Sequence, residues 1–178
     1  MSARDRWLDE GMAVLAEQGE AGLRVDRIAA RLGLTKGSFH HHFDGISDYH
    51  RCLWARYESH ADAAVRRAVE AVAALPPERA LMALPGHAVF DARLEAAVRA
   101  WGFDNTEAAA VQQRVDAARL EALVGLWQQV IPDPARARTA ALVPHLLLIG
   151  ASVAMPTTSD SDLRDVFALL ATLVPSVR

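Results

Sequence analysis

Residues 24–43 read RVDRIAARLGLTKGSFHHHF. Val25, Ile28, Ala29 and Leu32 recur at i, i+3, i+4 and i+7, the spacing that puts apolar side chains on one face of a helix. Gly33 ends that helix, because glycine enters the left-handed conformation of a helix C-terminus without a steric cost. Leu34 is apolar and Thr35 can cap a new helix. Lys36 to Phe43 predicts a second short segment with Phe39 and Phe43, four residues apart, as its buried positions. Two short helices joined by only a glycine, one apolar residue and a cap form a helix-turn-helix, in which the first helix crosses the DNA backbone and the second lies in the major groove. Thr35, Lys36, Ser38, His40 and His41 are the polar residues of the second helix and point away from its core side.

The flanking sequence is helical in both directions. From Arg6 to Glu17, Trp7, Leu8, Met12, Val14 and Leu15 fall close to one stripe, and Gly19 supplies a stop. After the turn pair Asp44-Gly45 a long helix is expected to reach about Leu75, where Pro76-Pro77 interrupts it. Pro85-Gly86 separates a short helix from one over about Ala88 to Trp101, and Asp104-Asn105-Thr106 reads as the cap of a helix running to about Val130. Pro132 and Pro134 close that one. Two more helices are predicted: about Ala135 to Ala154, apolar nearly all round with Pro144 inside it, and about Ser161 to Val174, with Leu163, Val166, Phe167, Leu170 and Val174 on one face. No strand and no internal repeat is predicted, so the fold class is all-α.

Composition agrees. The 178 residues are 52% hydrophobic but only 6% aromatic, so Ala, Leu and Val dominate, as in packed helices. The one cysteine, Cys52, excludes an internal disulfide framework, and the start lacks a basic, apolar secretory leader; both favour the cytoplasm. The longest apolar run, residues 139–155, is interrupted by Pro144, His145, Gly150 and Ser152 and reads as a buried helix, with no membrane partner implied. The net charge of −3 gives no global positive field, and residues 1–60 hold eight Lys and Arg against nine Asp and Glu. Any DNA contact must therefore rest on basic groups placed locally.

RVDRIAARLGLTKGSFHHHF resembles the DNA-binding signature of the TetR (tetracycline-repressor-like) family of transcriptional regulators, and the helix ending in AEQG upstream and the long helix downstream extend the resemblance over about sixty residues. Further on, AVRAWGFDNTEAAAVQQRVDAARLEAL resembles the effector-domain segment of one branch of that family. The resemblance implies an N-terminal three-helix bundle with the helix-turn-helix, residues 1–46, followed by a helical effector-binding and dimerisation domain, residues 47–178. It implies a homodimer on a palindromic operator in double-stranded DNA, a repressor released by a small-molecule effector. Lys36 and Gly37 start the recognition helix where the family touches base edges or phosphates, and His40 stands where a tyrosine commonly contacts the backbone. Thr35, Ser38 and His41 share that side, and Arg24 and Arg27 lie near the backbone on the preceding helix. Asp26 and Ile46 depart from the family pattern, in which polar or basic groups are common at these places.

Three adjacent histidines also raise metal binding, but neighbours on a helix diverge by about 100°, whereas chelation from one helix needs i, i+3 or i+4 spacing. No metal and no cofactor is expected. His42 is read as turned toward the body of the domain. A phosphate contact by His40 would strengthen as the pH falls. In the second domain the candidate ligand contacts are Trp54, Tyr57, Trp101, Phe103, Trp127 and His145, with His87 beside them; each competes with an ordinary core role. A helix apolar all round needs cover on more than one side, which points to a dimer interface at Leu142, Leu146, Ile149 and Val153, joined by Leu163, Phe167 and Leu170 of the last helix. Asp116 and Arg119 read as a helix-surface ion pair. No Ser-His-Asp order, paired carboxylates or glycine-rich phosphate loop points to an enzyme. The competing class is a helical ligand-binding or interaction protein whose DNA-binding module is weak.

Overall fold

Ser2 opens the first helix, α1 (Ala3–Gln18), with a reciprocal cap: its hydroxyl accepts from the Asp5 backbone N–H at 3.0 Å while the Asp5 carboxylate accepts from the Ser2 N–H at 3.0 Å. The structure is a computed structural model and describes residues 2–87, 91–155 and 158–173. Gly19 ends α1 as expected, and a single 3₁₀ turn (Glu20–Gly22) leads to α2 (Val25–Leu32) and the short α3 (Lys36–His40). Beyond them lie α4 (Ile46–Val72), α5 (Pro77–Ala83), a 3₁₀ turn (Leu84–Gly86), α6 (Ala92–Gly102), α7 (Thr106–Gln128), α8 (Pro134–Val153) and α9 (Asp160–Leu173). Among the described residues the fold is all-α, without strands.

Boundaries differ from the sequence expectation where a local group intervenes. The segment expected to run to Phe43 stops at His40, because the Phe39 carbonyl accepts both the His42 N–H at 2.9 Å and the Phe43 N–H at 3.0 Å, closing a turn instead of continuing the helix. The long helix ends at Val72 rather than Leu75: the Ala73 and Leu75 N–H groups bond three residues back, tightening the last turn before Pro77 begins α5. The expected cap of α7 is Asn105, whose Oδ1 accepts from Ala108 N–H at 2.8 Å, and Asp133 caps α8 through Ala135 and Arg136. The expected helix start at Ala88 and the expected end at Val174 lie outside the described residues.

The chain divides into two compact units, Met1–His60 with Arg93–Arg114, and Ala61–Ala92 with Val115–Arg178. The first unit packs around Trp7, Val14, Leu15, Ile28, Phe39, Tyr49 and Leu53, all nearly inaccessible to solvent. Its second half joins through polar contacts: Arg114 forks onto Glu58 at 2.6 and 2.8 Å, and Tyr57 donates to Gln112 Oε1 at 2.8 Å. The second unit has its own core, with Leu81, Leu123, Leu126, Trp127, Ile131, Ala137 and Ala141 in one cluster. There α5 and the 3₁₀ turn after it contact α9.

Two glycines carry the first unit for different reasons. Gly33 sits at φ 66°, ψ 31°, and the turn it makes lets the Leu34 N–H reach the Ala29 carbonyl at 2.9 Å. Gly11 is a close approach: a Cβ there would land on the Tyr49 hydroxyl, which donates to the Trp7 carbonyl at 2.7 Å. Gly11→Ala is expected to destabilise the chain by about 3 kcal/mol, through overpacking and the loss of a buried hydrogen bond. Gly33→Ala, with open space around it, is expected to cost only about 1 kcal/mol of backbone strain. Urea denaturation of both variants checks the order.

Candidate functional site

The short α3 is held by its apolar residues and leaves its polar ones outside. Thr35, in extended conformation, caps it by accepting from the Ser38 N–H at 3.3 Å. Phe39 is enclosed by three rings, Trp7 at 5.4 Å, Phe43 at 5.1 Å and Tyr49 at 5.4 Å between centroids. Phe43 lies 4.9 Å from Tyr49 and carries the Arg4 guanidinium over its face at 5.2 Å. Thr35, Lys36, Gly37, His40 and His41 are exposed and Ser38 half-buried, so the structure brings these six onto one solvent-facing element. His42 is half-buried, its ring 6.4 Å from Phe43. No group of three His, Cys, Asp or Glu side chains able to hold a metal ion occurs among the described residues.

The cations around this element are mostly engaged. Arg24 is exposed and pairs with Asp26 at 3.6 Å, and Arg27 donates to Gln18 Oε1. The Asp26 carboxyl is held below its usual range, because a desolvation cost is outweighed by the charges of Arg24 and Lys36. Arg31 is clamped between Glu10 at 2.5 Å and Glu17 at 2.6 Å, which raises the guanidinium and lowers Glu17. Arg56 holds Asp9 at 2.7 Å and Asp5 at 3.3 Å, and Arg51 pairs with Asp48. Arg6 donates to the Leu32 carbonyl at 3.3 Å, and Arg4 to the sulfur of half-buried Cys52 at 2.8 Å. Lys36 stands out as an exposed cation at the start of α3.

The candidate ligand contacts are divided between the two units. Trp54 and Trp101 meet in the first unit at 4.5 Å between centroids, with His50 edge-on to Trp101 at 4.9 Å, and Tyr57 is buried with its hydroxyl on Gln112. Phe103 is 89% exposed, in the turn after α6. Trp127 belongs to the core cluster of the second unit and His145 is buried on α8, while His87 is exposed. Sequence reasoning missed the buried polar chain Tyr57, Gln112, Glu95 and Arg99, with Gln112 Nε2 donating to Glu95 Oε2 at 3.2 Å and Arg99 at 3.5 Å from the same oxygen. A signal existed: Glu95 shares the face of Val98, and Gln112 falls in the stripe Ala108, Val111, Val115.

Also missed was a partly open cavity of about 90 Å³ within the second unit. Its walls are Ala61, Ala64, Val65, Ala68 and Val69 of α4, Leu84, then Arg119, Ala122, Leu123 and Leu126 of α7, with Leu148 of α8. None of the six candidate ligand contacts lines it. Arg119 and Asp116 pair at 3.9 Å with only 15% and 20% of their side chains exposed, so the expected surface pair is instead largely shielded.

Residues 8–48, the span from α1 into the first turn of α4, match the family model for bacterial regulatory proteins of the tetR family. The N-terminal segment of the chain carries the DNA-binding signature of that family. TetR-family regulators bind DNA and regulate transcription, and the matched span contains α2 and α3. The fold is similar over nearly its whole length to solved structures. A transcriptional regulator from Rhodococcus sp. Rha1 shares 19% identity at a TM-score of 0.77, covering 98% of this chain and 97% of its own. A protein from Mesorhizobium loti MAFF303099 assigned to the TetR family shares 13% identity at 0.76, covering 98% and 95%. A third, from Streptomyces coelicolor A3(2), shares 21% at 0.64, covering 95% and 98%. At such identities the likeness establishes the fold alone. No curated protein sequence matches it.

His50 gives this unit a pH dependence. Burial pushes its imidazole below the usual 6.5, against the opposing pull of Glu20 and Glu107, and its Nε2 has no hydrogen-bond partner among the described residues. The unfolded chain therefore takes up the proton first as the pH falls, so this contribution to stability is full above pH 6.5 and declines below it. Thermal unfolding between pH 7.5 and 5.5 is expected to show a loss of stability that His50→Gln reduces.

Proposed function

We propose that the chain is a homodimeric, cytoplasmic repressor that binds a palindromic operator and leaves it when a small molecule binds. DNA reading resides in residues 1–46, and effector binding and dimerisation in residues 47–178. The observation that carries the reading is the division of α3 and the turn after it into a buried side, Phe39 and Phe43 at 1% and 2% exposure, and an open polar side. From that side Lys36 and Gly37 meet base edges or phosphates, Thr35, Ser38 and His41 add polar contacts, and His40 meets the backbone, with Arg24 and Arg27 beside the phosphates.

Dimerisation is supported by an unfilled apolar stripe. Val143, Leu146 and Val153 of α8 are 47%, 59% and 52% exposed, and Leu169 of α9 is 65% exposed, more open apolar surface than two helices of a monomer ordinarily leave. Leu142, Ile149, Leu163, Phe167 and Leu170 are half-buried around it. A second copy covers the stripe by two-fold symmetry in a four-helix arrangement, placing two recognition helices about 34–36 Å apart for successive major grooves. No helix among the described residues is long and apolar enough to cross a membrane. A second reading, a helical ligand-binding protein with weak DNA binding, is favoured by the engagement of Arg24, Arg31, Arg51 and Arg56 by acidic groups.

Palindromic DNA from upstream of the gene is expected to shift the dimer in a gel, and Lys36→Ala to abolish the shift; a folded dimer that shifts no such DNA supports the second reading. Because few cations are open to phosphate, operator affinity is expected to fall less than about a thousandfold between 50 and 200 mM salt. Asp26→Asn, which removes a carboxylate beside Arg24 and Lys36, is expected to raise affinity by about tenfold. Leu146→Asp is expected to give monomers in sedimentation, and unchanged dimers would refute the α8–α9 interface.

A further inference from the structure

The cavity of the second unit has a chemistry that narrows what it can hold. Ten of its eleven lining residues are Ala, Val or Leu, and on α4 the small side chains Ala61, Ala64 and Ala68, at i, i+3 and i+7, leave the space that larger residues would fill. No carboxylate and no aromatic ring lines it, so nothing is offered to a cation. The single charged liner, Arg119, is already compensated by Asp116 at 3.9 Å, and both side chains are largely withdrawn from solvent. An anion entering beside this pair would lose its hydration and meet the Asp116 charge together with that of Arg119. Partly open and with about 90 Å³ inside, the site suits a compact body of about one ring.

Resting on the reading that an effector binds the second unit, we propose that this effector is a small, uncharged, apolar molecule seated against the alanine wall of α4 between Leu126 of α7 and Leu148 of α8. The charge-neutral wall selects against acids and amines of the same shape, because neither finds an uncompensated counter-charge on entry.

Three probes with one carbon frame test this on the full chain: cyclohexanone, cyclohexanecarboxylate and cyclohexylammonium, each titrated by NMR. Cyclohexanone is expected to bind at least tenfold more tightly than either ion, and Ala64→Leu or Ala122→Leu, each filling the cavity, to remove that binding while the variant keeps the wild-type melting transition. Two variants are used so that a misfolded one does not decide the matter. Tighter binding of the carboxylate or the ammonium, equal binding of all three, no binding of any, or cyclohexanone binding that survives in both folded variants overturns the assignment. Operator DNA is then added. Cyclohexanone that binds in the cavity but leaves the gel shift unchanged supports the cavity assignment and overturns effector-controlled release.

Discussion

The packing of Phe39 is the constraint on which the helix-turn-helix of this protein depends. Five helical residues cannot hold themselves in place, since one turn and a half closes too few hydrogen bonds to offset the ordering of the chain. The edge-to-face contacts of Phe39 with Trp7 and Tyr49, and its tilted contact with Phe43, supply the anchor that α3 lacks as a helix. The same cluster explains why Gly11 must be small, because the Tyr49 hydroxyl occupies the place a side chain would take. Orientation of Lys36 and His40 toward solvent is thus a consequence of burying one phenylalanine.

Electrostatics of the first unit serve its assembly more than its surface charge. Arg31 joins α2 to α1 through Glu10 and Glu17, and Arg56 joins α4 to α1 through Asp5 and Asp9. Each pair is partly exposed and individually modest in energy, but each removes a cation from the pool available to phosphate. Lys36 remains exposed at the start of α3, and its charge, with that of Arg24, holds the Asp26 carboxyl below its usual range.

In the second unit small residues have the opposite effect from the packed rings of the first. Alanines along one face of α4 allow α7 and α8 to enclose a cavity, while the outward stripe of α8 leaves branched side chains in water. Both features arise from a helix composition rich in Ala, Val and Leu. One is an apolar void within the unit and the other an apolar stripe on its surface.

Sequence alone determined what depends on neighbours along the chain: the helical period, the stops at Gly19 and Gly33, the caps at Thr35 and Asn105, and the pairing of Phe39 with Phe43 that makes the helix-turn-helix legible. These are local because each is set within one or two turns of helix. Tertiary structure decided the rest. That Trp54 and Trp101 meet, that Phe103 faces solvent, that Arg119 is shielded with Asp116, and that Ala61, Ala64 and Ala68 face a void all depend on which helices lie against one another. An alanine has the same period whether its neighbour fills the adjacent space or leaves it empty, so the cavity becomes visible only when α4, α7 and α8 are placed together.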